Sequence, residues 1–185
     1  MHLIVALTGS SGILYGVRFL EVCRDLKVET DLILSEAGKK ILRVETGKEP
    51  EEVEKLATRN YEEDELTSPL SSGSYHVDGM VIVPCSMKTL ACVANGVASN
   101  LITRAADVML KQGKPLVLVP RETPLSLIHL ENLVRVKRAG AVVLPACPAF
   151  YHGPRNIGDL VDFVVGKILD VLGVEHHLYH RWGEG

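Results

Sequence analysis

Several short segments of this 185-residue chain carry the residue types needed to hold an anion or to move a proton. In Thr8-Gly9-Ser10-Ser11-Gly12, small hydroxyls and unhindered amides would sit at the positive end of a helix, an arrangement that cradles phosphate. The same residues also read as a plain tight turn with an N-cap. No Gly-Lys-Ser/Thr follows, so this is not a Walker A loop, and the spacing departs from the GxGxxG dinucleotide fingerprint. Ser35 stands where an acidic residue would grip a dinucleotide ribose, which favours a mononucleotide over NAD. Pro84-Cys-Ser-Met-Lys-Thr89 places Ser86, Lys88 and Thr89 at an expected helix start, either as ligand donors or as a cap with a solvated lysine.

Arg104 and Lys111 lie seven residues apart, two turns along one helix face, and Arg121-Glu122 follows a further strand. A carboxylate among three cations has its proton affinity set by its neighbours, as acid/base work on a phosphate ester requires. A surface salt-bridge set is the competing reading, and for Lys111 the simpler one. Pro148-Ala-Phe-Tyr151 contributes two aromatics in a chain with one Trp, five Tyr and three Phe. The Tyr151 hydroxyl and Lys167 together suit a small phosphate. Cys23, Cys85, Cys92 and Cys147 form no CxxC pair and lack the partners of a zinc site. At least three are expected to be reduced core residues, with Cys85 and Cys147 packing at strand ends. His76, His129 and His152 are expected at the surface or in caps.

These segments need a scaffold that brings them together. Leu3 to Leu7, Asp31 to Leu34, Met80 to Val83, Leu116 to Val119 and Ala141 to Leu144 are continuous apolar runs, the pattern of strands covered on both faces. Helical spacing separates them, as in Val17, Leu20, Glu21 and Arg24, and again from Leu160 to Leu169. Alternation of this kind predicts a three-layer α/β fold, a Rossmann-like or flavodoxin-like doubly wound parallel sheet, with ligands at the carboxyl ends of the strands. The chain reads as a single domain, with a core of about 1–172 and a short polar tail, 173–185, holding Trp182. Within Lys48 to Gly73, a short acidic helix and then a turn-rich surface loop are expected. A net charge of −3 offers no general attraction to nucleic acid or to an anionic membrane. The apolar start, His2 to Leu7, lacks a basic leader and is too short to span a bilayer, so a cytoplasmic location is expected.

Taken in order, Thr8 to Gly12, Ser71-Ser-Gly-Ser74, Pro84 to Thr89, Arg104-Ala-Ala-Asp-Val108, Arg121-Glu-Thr-Pro-Leu125 and Pro148 to Tyr151 resemble the flavin prenyltransferase family, over about residues 3–172. The resemblance implies transfer of a dimethylallyl group from dimethylallyl phosphate to N5 and C6 of reduced FMN, without a metal. The prenylated FMN would serve a separate decarboxylase. It also implies FMN contacts at Gly9, Ser10, Ser11, Ser35, Ser86, Met87, Lys88, Thr89 and Arg121. Tyr151 and Lys167 would hold the dimethylallyl phosphate, with Glu45, Arg104 and Lys111 nearby and Glu122 as acid or base. Family members commonly carry arginine where Lys167 stands, so a forked phosphate contact becomes a point charge here. Trp182 could bring a second aromatic face. The family's homo-oligomers, commonly dodecamers, imply the same assembly. Two other readings of these residues are an FMN-dependent cysteine decarboxylase of similar fold and a non-catalytic flavin carrier.

Overall fold

The computed structural model describes residues 1–183. In chain order the elements begin with β1 (His2–Leu7), α1 (Ile13–Asp25), β2 (Glu29–Leu34), α2 (Glu36–Thr46), α3 (Pro50–Glu54) and β3 (Arg59–Tyr61). They continue with a 3₁₀ turn at Pro69–Ser71, β4 (Gly79–Cys85), α4 (Met87–Ala94), α5 (Leu101–Lys111), β5 (Leu116–Pro120), α6 (Leu127–Arg138), β6 (Val142–Val143) and α7 (Ile157–Leu172). Every strand pairs in parallel, in the order β3-β2-β1-β4-β5-β6. The chain winds outward from β1 to one edge and then crosses back to β4, so strand order reverses between β1 and β4. Carboxyl ends that diverge at such a point leave a crevice.

The continuous apolar runs have a direct explanation. Along β1, Leu3, Val5 and Leu7 enter one core with α1 and α7, while Ile4 and Ala6 enter the other with α4, α5 and α6. Successive side chains of a strand point to opposite faces, so a sheet covered on both sides needs apolar residues at every position. Phe19 and Ile168 anchor the first core; Leu90, Ile102 and Val136 anchor the second.

All five expected strands are present, although β6 is confined to Val142–Val143. The sixth, β3, was not legible, because Arg59-Asn60-Tyr61 has no apolar run. It is a short polar edge, held where the Arg59 guanidinium Nε donates to the buried Asp31 carboxylate at 2.7 Å. Such charged edges also discourage pairing with other chains. The expected acidic helix is α3, opened by Pro50. Of the cysteines only Cys23 and Cys85 are buried in the core, where desolvation pushes both thiols up to about 12. Cys92 is half-buried and Cys147 exposed, which corrects the expectation of three core thiols. Cys147 lies in the loop beyond β6 and does not pack as expected at a strand end, and Cys92 sits on the face of α4 that borders a cleft.

Close approach of α1 to the sheet depends on Gly16, where an added Cβ would lie 2.3 Å from the Val83 carbonyl oxygen and 2.7 Å from Leu7. Alanine is the better helix former by about 1 kcal/mol, yet here it has no room. Gly16→Ala should lower stability by about 1–3 kcal/mol, the usual cost of overpacking. Urea unfolding checks this; a raised midpoint would contradict it.

Candidate functional site

At the reversal point, Thr8 joins the two halves of the sheet. Its buried hydroxyl donates to the Pro84 carbonyl at 2.8 Å and accepts from the Ser86 amide at 2.8 Å. A second staple links β1 to β5: the Ser10 hydroxyl donates to the Arg121 carbonyl at 2.8 Å, and Arg121 Nε donates to the Ser11 carbonyl at 3.0 Å. Ser35 caps α2 by accepting from the Gly38 amide at 3.0 Å, and Ser86 caps α4 by accepting from the Thr89 amide at 3.2 Å. Each loop is thus fixed by its own hydroxyl.

Between these loops lies a cleft of about 410 Å³, within the size range of small-molecule sites. Gly9, Ser10, Ser11, Ser35, Ser86, Met87, Lys88, Thr89, Arg121 and Glu122 all border it. The first amides of α4 have no intrahelical acceptor and open on this side, an anion-binding arrangement. The matching place on α1 is filled by the protein itself, because Glu45 accepts from the Gly12 and Ile13 amides at 3.0 Å each. In a single copy of the chain the two amides at the α1 end of the Gly-Ser loop are thus met by an internal carboxylate.

Other expected site residues lie off the cleft wall in a single copy of the chain. Glu45 is the α1 cap just described. Arg104 donates to the Ser71 carbonyl at 3.1 Å and pairs with Asp107 at 2.8 Å. Lys111 is exposed at the end of α5. Tyr151 packs edge-on against Trp182 at 5.2 Å and Phe163 at 5.8 Å. Lys167 pairs with Asp170 at 3.1 Å. Sequence reasoning missed Glu63, which borders the cleft and accepts from the Glu36 amide at 3.0 Å and from Asn100 Nδ2 at 2.9 Å. Nothing in its acidic surroundings marked it out, since its role depends on the unforeseen β3.

Residues 1–169 match the model of the Flavoprotein family. The flavin prenyltransferase UbiX of Methanocaldococcus jannaschii is 48% identical over 183 residues, which is 99% of each chain. This chain belongs to the flavin prenyltransferase family. Among solved members, AnUbiX (PadA1) in complex with FMN and dimethylallyl pyrophosphate superposes with a TM-score of 0.97 at 45% identity, covering 98% of this chain and 97% of that one. A dodecameric FMN-dependent Ubix-like decarboxylase from Escherichia coli O157:H7 gives 0.96 at 45% identity, covering 98% and 99%.

In this flavin prenyltransferase the tail is tied to α7 by Asp170, which sequence reasoning also missed. Its carboxylate accepts from Lys167 at 3.1 Å, His176 at 3.1 Å and Arg181 at 2.7 Å, and from the Tyr179 hydroxyl at 2.5 Å. Desolvation alone would raise the Asp170 carboxyl, but hydrogen bonds from Tyr179, Arg181, Lys167 and His176 outweigh it and hold it well below its usual 3.8. A carboxylate depressed on folding stabilises the fold above the unfolded pKa, and that contribution is lost as pH falls further. Trp182, the single tryptophan, reports the docking. Its fluorescence should hold steady from neutral pH down to about 4 and change below that. In Asp170→Asn the change should already be present at pH 7; an unaltered signal there would contradict the tether.

Proposed function

We propose that this chain transfers a dimethylallyl group from dimethylallyl phosphate to N5 and C6 of reduced FMN, making prenylated FMN for a separate decarboxylase. The observation that carries this reading is that all nine residues assigned to FMN by resemblance border one cleft, together with Glu122. The residues fit the group. Hydroxyls of Ser10, Ser35 and Ser86 fix the loops, the first turn of α4 at Met87 and Lys88 borders the cleft, and Arg121 anchors through Nε with its guanidinium on the cleft wall. Gly9 is required there because a Cβ would meet Ala37 Cβ at 2.4 Å, closing the β1 loop against α2.

When bound in reduced form, FMN supplies the nucleophilic N5 and the neighbouring C6 that receive the prenyl unit. The protein's task is to stabilise a departing phosphate and to shield an allylic cation from water. Lys167, Arg104 and Tyr151 take the phosphate in this proposal, and they meet its charge without a metal. Lys167 is suited to that task because hydrogen bonds to Asp170 and Tyr179 outweigh burial and raise its pKa, keeping it cationic. Tyr151 and Trp182 offer aromatic faces to the cation.

None of these groups borders the cleft of its own copy, so neighbouring copies bring them to it in a homo-oligomer, a dodecamer as in the Escherichia coli relative. Exposed Leu127, Ile128, Phe150 and Ile157, each about 70% accessible, support burial between copies. Among the described residues no helix is long and apolar enough to cross a membrane; a cytoplasmic location remains part of the proposal.

Glu122 is exposed on the cleft rim, with Oε1 accepting from the Thr123 amide at 2.9 Å. It serves as acid toward the phosphate or base toward the flavin. Glu122→Gln keeps the acceptor oxygen and loses the proton chemistry. FMN affinity should stay within about twofold while turnover falls by about 10²-fold or more, the usual contribution of a general acid or base. A non-catalytic carrier would have no need of Glu122, and unchanged turnover in the variant would remove its assigned role.

A further inference from the structure

Glu63, just beyond the carboxyl end of β3, has no part in the reaction proposed above, yet three bonds converge on it. Its carboxylate accepts from the Glu36 amide at 3.0 Å and from Asn100 Nδ2 at 2.9 Å, and its carbonyl accepts from the Leu101 amide at 2.8 Å. These donors stand at the start of α2 and at the start of α5, 27 and 37 positions from Glu63 for the two side-chain bonds. Both helix starts line the cleft, through Ser35 and Ala37 on one side and Asn100 and Thr103 on the other. Glu63 is half-buried between them.

A carboxylate is the group that meets both donors. The Asn100 amide is oriented by its own cap, with Oδ1 accepting from the Thr103 amide at 3.0 Å, so that Nδ2 turns to Glu63. Glu63 then gives Oε1 to the Glu36 amide and Oε2 to Asn100, and its charge suits the positive end of α2. A glutamine would satisfy one donor and turn its own NH₂ on the other. The first turn of α2 is also hemmed in from the far side, because a Cβ on Gly9 would meet Ala37 Cβ at 2.4 Å. Any movement of that turn therefore carries Ser35 and disturbs the Gly-Ser loop pressed against it. The neighbouring Glu62 differs: it pairs with Lys39 at 2.9 Å and does not border the cleft.

We propose that Glu63 is a positioning residue for the flavin: by tying the start of α2 to the start of α5 it sets the gap in which FMN is held. It acts through Ser35 and Asn100, and the role rests on the FMN reading of the cleft.

The test is calorimetric titration of the full chain with FMN across a double-mutant cycle. Glu63→Gln sets two amide groups against each other, and Asn100→Asp sets two carboxylates against each other. The double variant Glu63→Gln/Asn100→Asp rebuilds the pair with donor and acceptor exchanged, at unchanged total charge and with aspartate still able to cap α5. Each single variant should bind FMN at least about tenfold more weakly, the loss of a hydrogen bond to a charged group. The double variant should recover to within about threefold of the unaltered chain, as expected of two residues in direct contact. Glu62→Gln, on the same segment, should bind as the unaltered chain does. Full affinity in Glu63→Gln, no recovery in the double variant, or an equal loss in Glu62→Gln would overturn the role. Binding is read without turnover, so failure of prenyl transfer is a separate result, and an unaltered chain that takes up no FMN would contradict the cleft's ligand together with this role.

Discussion

The Thr8 hydroxyl bridging Pro84 and Ser86 is the contact on which the site depends. In the central strands β1, β4 and β5 of a parallel sheet covered on both faces, apolar side chains fill the interior and the polar groups gather at the strand ends. At the reversal between β1 and β4 the two end loops diverge, and each exposes amides that neither strand can pair. Thr8 satisfies one amide and one carbonyl across that gap at 2.8 Å each. Leaving such buried groups unpaired costs about 1–3 kcal/mol apiece. The bridge sets the spacing of the Gly-Ser loop from α4, and with it the width of the cleft.

From that fixed point the division of labour among anion-binding ends becomes intelligible. Among the helix termini that face the crevice, Glu45 covers the first amides of α1, and Ser86 caps α4 by accepting from the Thr89 amide. A side chain of the protein thus occupies the place an anion would take at α1. Glu63 does the same at α2 by accepting from the Glu36 amide, and through Asn100 it braces the start of α5. Charge within the protein narrows where charge in a ligand can go.

Much of this was legible in the sequence where a residue's role is local. Five strands follow from apolar runs, and the loop hydroxyls Ser10, Ser35 and Ser86 follow from their position after those strands. Roles that rely on pairing between distant segments were not legible. β3 exists because Asp31 is buried beside Arg59, and no periodicity in Arg59-Asn60-Tyr61 signals it. Glu45 enters through the family resemblance, and nothing in its spacing reveals that it reaches back 33 positions to the Gly12 amide. Asp170 gathers four donors from a tail that reads as polar and featureless. That Arg104, Tyr151 and Lys167 lie off the cleft of their own copy is a property of the assembled sheet and helices that spacing along the chain cannot convey.

Mass spectrometry of the flavin released after anaerobic incubation of the purified protein with reduced FMN and dimethylallyl phosphate is the most direct test of prenyl transfer. A flavin heavier by one five-carbon prenyl unit is the expected result. Recovery of unmodified FMN from protein that binds it tightly, with the pyrophosphate donor equally inert, would contradict the transferase function.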